Sequence, residues 1–136
     1  MKNLLVIFMT LMMSLGVYSQ DKQYIKPGVY KGEIVENGSS STYIIEFDSE
    51  GYAYHVNSDG HRMSFDFKKT TSEGRITILQ WINTGGIWTE THSFMITKFS
   101  NSVIQVVHIR YVTNDKGTDH SDDFFYGGSG NLYLEN

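Results

Sequence analysis

The chain predicts an all-β domain: an antiparallel, up-and-down meander of about eight strands closed into a barrel. Three observations carry this. Strand-like runs alternate with turn signals at hairpin spacing along most of the sequence. No long stretch shows helical periodicity. The composition, with 14% aromatics, 13 Gly and a single Pro, leans toward β structure. A long meander closes because strand twist and bare edges both oppose a flat, open sheet. A two-sheet sandwich is the alternative, but sandwiches usually need longer crossovers. Only residues 113–123 offer one.

The runs follow in order. Gly28 to Val35 is the first and Thr42 to Asp48 the second, with Tyr43, Ile45 and Phe47 on one face. Asp48-Ser49-Glu50-Gly51 turns the chain into Tyr52 to Val56, where Tyr52, Tyr54 and Val56 share a face. Asn57-Ser58-Asp59-Gly60 turns it again, ending in a Gly suited to positive φ. Arg62 to Lys68 alternates most cleanly, with Met63, Phe65 and Phe67 inward. Thr71 to Gly74 turns into Arg75 to Ile82. Thr84-Gly85-Gly86 makes a tight hairpin into the longest run, Ile87 to Phe99. Ser100 to Ser102 leads to Val103 to Val112. A polar loop, Asn114 to Asp123, precedes the short run Phe124 to Tyr126. A flexible Gly127-Gly128-Ser129-Gly130 separates that run from Leu132 to Leu134, which extends or closes the sheet.

Residues 1–19 read as a secretory leader. Lys2 supplies the positive start, Leu4 to Leu15 an apolar stretch, and Val17-Tyr18-Ser19 a small residue at the cleavage point. The apolar stretch is shorter than the roughly 20 residues a spanning helix needs. The expected organisation is a signal peptide, 1–19, and one β-barrel domain, 20–136. The domain works outside the cytoplasm, in the bacterial periplasm or secreted.

Composition excludes several classes. The chain has no Cys, which removes disulfides, thiolate zinc sites and a Cys nucleophile. A disulfide-free exported domain rests on its core alone and fits a bacterial source better than an animal one. Net charge is −4 and the 11 basic residues are scattered, so nucleic acid and anionic membrane surfaces are poor partners. No cofactor is expected, and the mature chain holds no transmembrane segment. Asn37-Gly38-Ser39 matches a glycosylation sequon common by chance.

The unusual polar chemistry lies between residues 75 and 112. In Ile87 to Phe99 the odd positions Thr89, Thr91, Ser93 and Thr97 suit a solvated face, which turns Trp88, Glu90, His92 and Phe94 inward. If the next loop has three residues, Phe99 pairs with Val103. His92 then lies opposite Arg110, Glu90 opposite Val112 and Phe94 opposite His108. A two-residue loop would place His92 opposite Ile109 and disperse the group. Val103, Gln105, Val107, Ile109 and Tyr111 are at least as apolar as the alternate face, so that run alone does not choose. The candidate ligand-binding residues are therefore Trp88, Glu90, His92, Phe94, His108 and Arg110. Buried charge must be paired, so Glu90 needs His92 or Arg110. Aromatic walls with a few convergent polar groups resemble a small-ligand cavity, and the planar Arg110 fork suits a carboxylate or phosphate. The plainer reading is a satisfied structural network.

Other chemistries find less in the sequence. Metal binding by Glu90, His92 and His108 has no motif spacing behind it. A Glu90–His92 acid–base pair has no nucleophile elbow or paired catalytic carboxylates beside it. His55, His61 and His120 sit at turns and read as solvated. Asp115, Asp119, Asp122 and Asp123 fail the EF-hand order and read as a solvated acidic loop. Trp81 and Trp88 read as core.

Gly28-Val29-Tyr30 opens the first strand after an extended lead-in, and antiparallel strands follow. This resembles the lipocalin and wider calycin group, whose first strand carries G-x-W. The resemblance implies interior binding of small apolar or amphipathic molecules. It also offers Arg110 as counterpart of the group's late-strand arginine, packed across Tyr30 as a structural plug. Tyr replaces Trp here, and the group's T-D-Y loop motif, disulfide and C-terminal helix are missing. Avidin-like barrels are a second resemblance, without their biotin-contacting pattern. Three functional expectations stand: a barrel carrier of a small molecule, a filled-core interaction or structural module of the cell envelope, and a small barrel enzyme using Glu90 and His92.

Overall fold

The computed structural model describes residues 24–71, 74–85, 88–114 and 123–136. The expected leader and its cleavage point lie outside them. Among the described residues nine strands form one antiparallel sheet: β1 (Gly28–Glu36), β2 (Ser39–Phe47), β3 (Ala53–Val56), β4 (Arg62–Ser64), β5 (Phe67–Thr70), β6 (Thr77–Thr84), β7 (Trp88–Phe99), β8 (Val103–Asn114) and β9 (Phe124–Leu134). Among the described residues there is no helix, and so none long and apolar enough to cross a membrane.

Strand order is β4-β3-β2-β1-β9-β8-β7-β6-β5. The first and last strands of the meander pair, Tyr30 opposite Leu134 and Glu36 opposite Gly128. The opening lies instead in the middle of the chain, between β4 and β5, so the fold is a strongly curled half-barrel and not a ring of unbroken strand pairing. The expected run Arg62 to Lys68 is where the ring parts. Phe65 and Asp66 carry the chain from one sheet edge to the other, and Ser64 and Phe67 stay within about 11 Å of each other. Asp66 Oδ2 accepts the Ile82 backbone N–H at 2.7 Å. That kink reverses the expected alternation: Phe67 pairs with Gln80 and is exposed, while Lys68 turns inward, opposite Leu79. Lys68 Nζ donates to the Gly51 carbonyl and lies 5.9 Å from the Phe47 ring. Side chains thus bridge the seam that hydrogen-bonded strands do not. The two edge strands are three and four residues long and carry Arg62, Lys68 and Lys69, which discourages pairing with other chains.

The hairpins follow local chemistry. Asn37 (φ 48°) and Gly38 (φ 81°) form the two-residue turn between β1 and β2, so the sequon residues serve as turn residues. Asp48 Oδ1 accepts the N–H groups of Glu50 and Tyr52, and Asn57 Oδ1 those of Asp59 and His61. In β3, Ala53 and His55 point inward, and Tyr54 and Val56 share the outward face. The Gly127–Gly130 run is not a linker but the centre of β9. A Cβ on Gly130 would stand 2.0 Å from the Glu33 carbonyl oxygen, and one on Gly128 2.3 Å from that of Val35. Close approach of β1 therefore selects glycine there.

Along the barrel axis the interior divides in two. One half is apolar: Tyr30, Ile45, Phe47, Leu79, Ile96, Ile104, Val106 and Leu132 are all buried. Tyr30 donates its hydroxyl to the Lys26 carbonyl (3.0 Å) and meets Phe47 edge-on. Phe94, fully buried, marks the border with a polar half built on β7 and β8.

Two substitutions check this packing. Gly130→Ala destabilises the fold by about 3 kcal/mol through overpacking. Gly127→Ala, whose Cβ meets only ordinary contacts beginning at 3.6 Å, changes stability by less than about 1 kcal/mol. Urea denaturation midpoints measure both.

Candidate functional site

The polar half is set by strand alternation and by register. Glu90, His92 and Phe94 are inward residues of β7, and His108 and Arg110 inward residues of β8. The pairs His92–Arg110, Glu90–Val112 and Phe94–His108 stand opposite one another as expected for the three-residue loop, but by another route. At the hairpin Phe99 pairs with Ile104, and a bulge between Ile96 and Lys98 takes up the extra residue.

Five side chains join in one chain. Arg110 Nε donates to Glu90 Oε1, which also receives His92 Nε2 at 2.7 Å. His92 Nδ1 meets His108 Nε2 at 2.9 Å, and His108 Nδ1 meets Glu36 Oε1. The Tyr43 hydroxyl donates to the same Glu36 oxygen at 3.4 Å. Glu90, His92 and His108 are buried, while Arg110 is 37% exposed at the barrel mouth, with the rings of Phe124 and Tyr126 at 5.9 and 5.8 Å.

Burial alone would raise the Glu90 pKa, but the bonds from Arg110 and His92 outweigh it and hold the carboxyl below its usual value. Burial depresses both histidines against the pull of their carboxylate partners, His92 down to about 4. Tyr43 is pushed up to about 12 by burial and by Glu36.

These contacts define a proton inventory. Ionised Glu90 requires the proton of His92 on Nε2, so neutral His92 accepts at Nδ1 and His108 must donate from Nε2. Neutral His108 then has no proton on Nδ1 for Glu36. Two neutral imidazoles bring two ring protons, and the three contacts need three. For His108 to donate both to His92 and to Glu36 a third proton would be needed, and with Arg110 balancing Glu90 it would leave the chain neutral overall.

The rings continue the network. Trp81 stacks on His92 with centroids 4.0 Å apart and meets His55 at 4.3 Å across the seam. Phe94 touches Tyr43, Phe65, Trp81, His92 and His108, with centroids 4.3 to 6.5 Å away. His55, expected to be solvated, is half-buried, and its Nδ1 has no hydrogen-bond partner among the described residues. Its pKa is lowered, first by burial and then by His108.

Of the six candidate residues, the structure brings Glu90, His92, Phe94, His108 and Arg110 together. Trp88 lies instead on the hairpin, its ring over Gly85. Arg110 is not a plug on Tyr30. On β9 it stands opposite Tyr126 and Tyr30 opposite Leu134, about 26 Å apart along that strand. Sequence reasoning missed Glu36 and Tyr43. The inward alternation Tyr30, Ile34, Glu36 on β1 carried the signal for Glu36, but only the β9 insertion places β1 near β8. Among the described residues no group of three or more His, Cys, Asp or Glu is arranged to hold a metal ion. The acidic loop and His120 fall outside the described residues, apart from Asp123, which accepts a bond from the Tyr111 hydroxyl at 3.3 Å.

No family model matches the chain, and neither the curated proteins nor the solved structures contain a match. The fold is therefore a curled β-sheet of barrel type with no demonstrated membership of the lipocalin group.

The inventory has a definite pH sign. The folded pKa of His92 lies below its unfolded value of 6.5, so its contribution is present above 6.5 and lost as pH falls toward about 4. An added proton on Nδ1 would face the N–H of His108, donor against donor. The His92 ring is expected to titrate near 4 by NMR, with melting temperature falling over the same window. Glu36→Gln, whose amide supplies a donor to neutral His108, stays within about 1 kcal/mol of the parent. Glu36→Ala loses about 2 kcal/mol or more. Equal losses in chemical denaturation would refute the third proton.

Proposed function

We propose that this is an exported, non-catalytic interaction module whose barrel interior serves as its own core, and which acts through its outer surface. The ring contacts of Phe94 carry this reading. Tyr43 on β2 and Phe65 beside the seam reach Phe94 on β7 across the interior, which fills with side chains the space a carrier keeps for its ligand. The polar groups support it. Glu90, His92, His108 and Glu36 spend their hydrogen bonds on one another, as the members of a structural network do. The leader read at residues 1–19 supports export.

One observation favours a second reading, a binder of a small amphipathic acid. Arg110 is held by Glu90 at the mouth beside two aromatic rings, a combination that suits a carboxylate with an apolar tail. On that reading the ligand sits at the rim and the buried chain positions Arg110.

Native mass spectrometry of the protein purified from its own host separates the two. The module shows only polypeptide mass. A discrete extra mass that leaves on unfolding, and is lost in Arg110→Met, would establish the binder. Phe94→Ala provides a second check. It costs about 3–5 kcal/mol and opens a void that admits benzene or indole, which the parent chain excludes. Equal uptake by the parent would show that the interior is hollow.

A further inference from the structure

The outward face of β7, β8, β9 and β1 has an order that neither the core nor the polar chain requires. Register places Tyr111 beside Phe125, Val107 beside Ser129, Gln105 beside Asn131 and Val103 beside Tyr133 on β8 and β9. Lys98 on β7 and Glu33 on β1 flank the Gln105–Asn131 pair in the same row. Tyr111, Phe125, Tyr133 and Val35 are 42%, 62%, 55% and 55% exposed, which is much apolar surface for a wall facing water. Between the Lys98–Glu33 row and the Tyr111–Phe125 row these strands present no charged side chain outward.

We propose that a second copy of this chain packs on this wall, about a two-fold axis running along the strands between β8 and β9. The inference rests on the reading that the protein acts through its outer surface, and it names the partner. Such an axis carries each row onto itself with left and right exchanged. Lys98 then faces Glu33 of the other copy, and Glu33 faces its Lys98, giving two equivalent ion pairs. Gln105 meets Asn131, two amides able to exchange hydrogen bonds. Tyr111 meets Phe125, and Tyr133 meets Val103, where the wall has a shallow depression lined by Lys98, Val103, Gln105 and Asn131. An isologous interface demands this kind of self-complementarity. It also solves a charge problem, since copies that each carry net negative charge repel unless they meet on a face that is neutral or internally balanced.

With strands about 4.8 Å apart and same-face residues about 6.7 Å apart, the outward residues of these four strands span about 550 Å² in projection. That flat area is the most a wall curling away from its partner can offer, and it lies below the roughly 800 Å² per partner of a standard interface. Strands β8 and β9 would form its centre, and Lys98 and Glu33, on the flanking strands β7 and β1, its charged lateral rim.

Charge exchange tests the axis. The mature protein is run in analytical ultracentrifugation up to its solubility limit, beside Glu33→Lys, Lys98→Glu and the double variant, with thermal melts to confirm folding. Expected are a dimer for the parent, a dissociation constant raised about tenfold or more in each single variant, and recovery in the double variant. Tyr111→Ser should weaken the dimer without rescue. A parent that stays monomeric overturns the proposal and leaves the wall to a different protein. A dimer indifferent to both single charge changes, or not restored by the double variant, overturns it as well. Native mass spectrometry of the same sample reads bound small molecules separately, so failure of the dimer and failure of the filled-core reading are distinguishable.

Discussion

The interior of this half-barrel is organised by one side chain, Phe94. Its ring is fully buried and is touched from several directions by aromatic rings on β2, β6, β7, β8 and the β4–β5 connection. Opposite-edge contact of such rings is favourable beyond the area it buries. Because the sheet is unpaired between β4 and β5, strand hydrogen bonds alone would let the two edges separate. The rings of Phe65, Trp81 and His55, together with Asp66 and Lys68, hold them together.

The polar half depends on that packing. A pair of buried histidines between two carboxylates is tolerable only if every lone pair and every N–H finds a partner. The rings of Trp81, Phe94 and Tyr43 press the imidazoles into the planes where the three contacts line up. In exchange, the contacts fix the tautomer of each ring. Electrostatics and packing therefore specify a single arrangement, and a change on either side is felt on the other.

Fold class and most strand positions were legible in the sequence because alternation and turn chemistry are local. The β7–β8 register was legible too, although the hairpin reached it through a bulge that residues 96–103 do not advertise. The broken run was not. Met63, Phe65 and Phe67 alternate cleanly, and only the two ends of the sheet, which meet through tertiary closure, require the kink at Phe65 and Asp66. Glu36 and Tyr43 escaped for a similar reason, since their place beside His108 depends on β9 lying between β1 and β8. The glycines of β9 read as a linker because their purpose, admitting a neighbouring backbone, belongs to the neighbour. The apolar outward face of β8 was visible as an ambiguity, and the structure turns it into a surface.

The position of β9 also governs the order of events as the chain is made. It is the last strand in sequence and the central one in the sheet, and it joins β1 to β8 along nearly its whole length. Without β9 no strand pairing joins β1 to β8, and the strands on its two sides belong to separate hairpin sets. The long-range pairing that unites them comes late and closes a large loop, the step that makes β-rich chains slow to fold. The full strand pairing of the sheet is therefore available only once β9 can join the two halves.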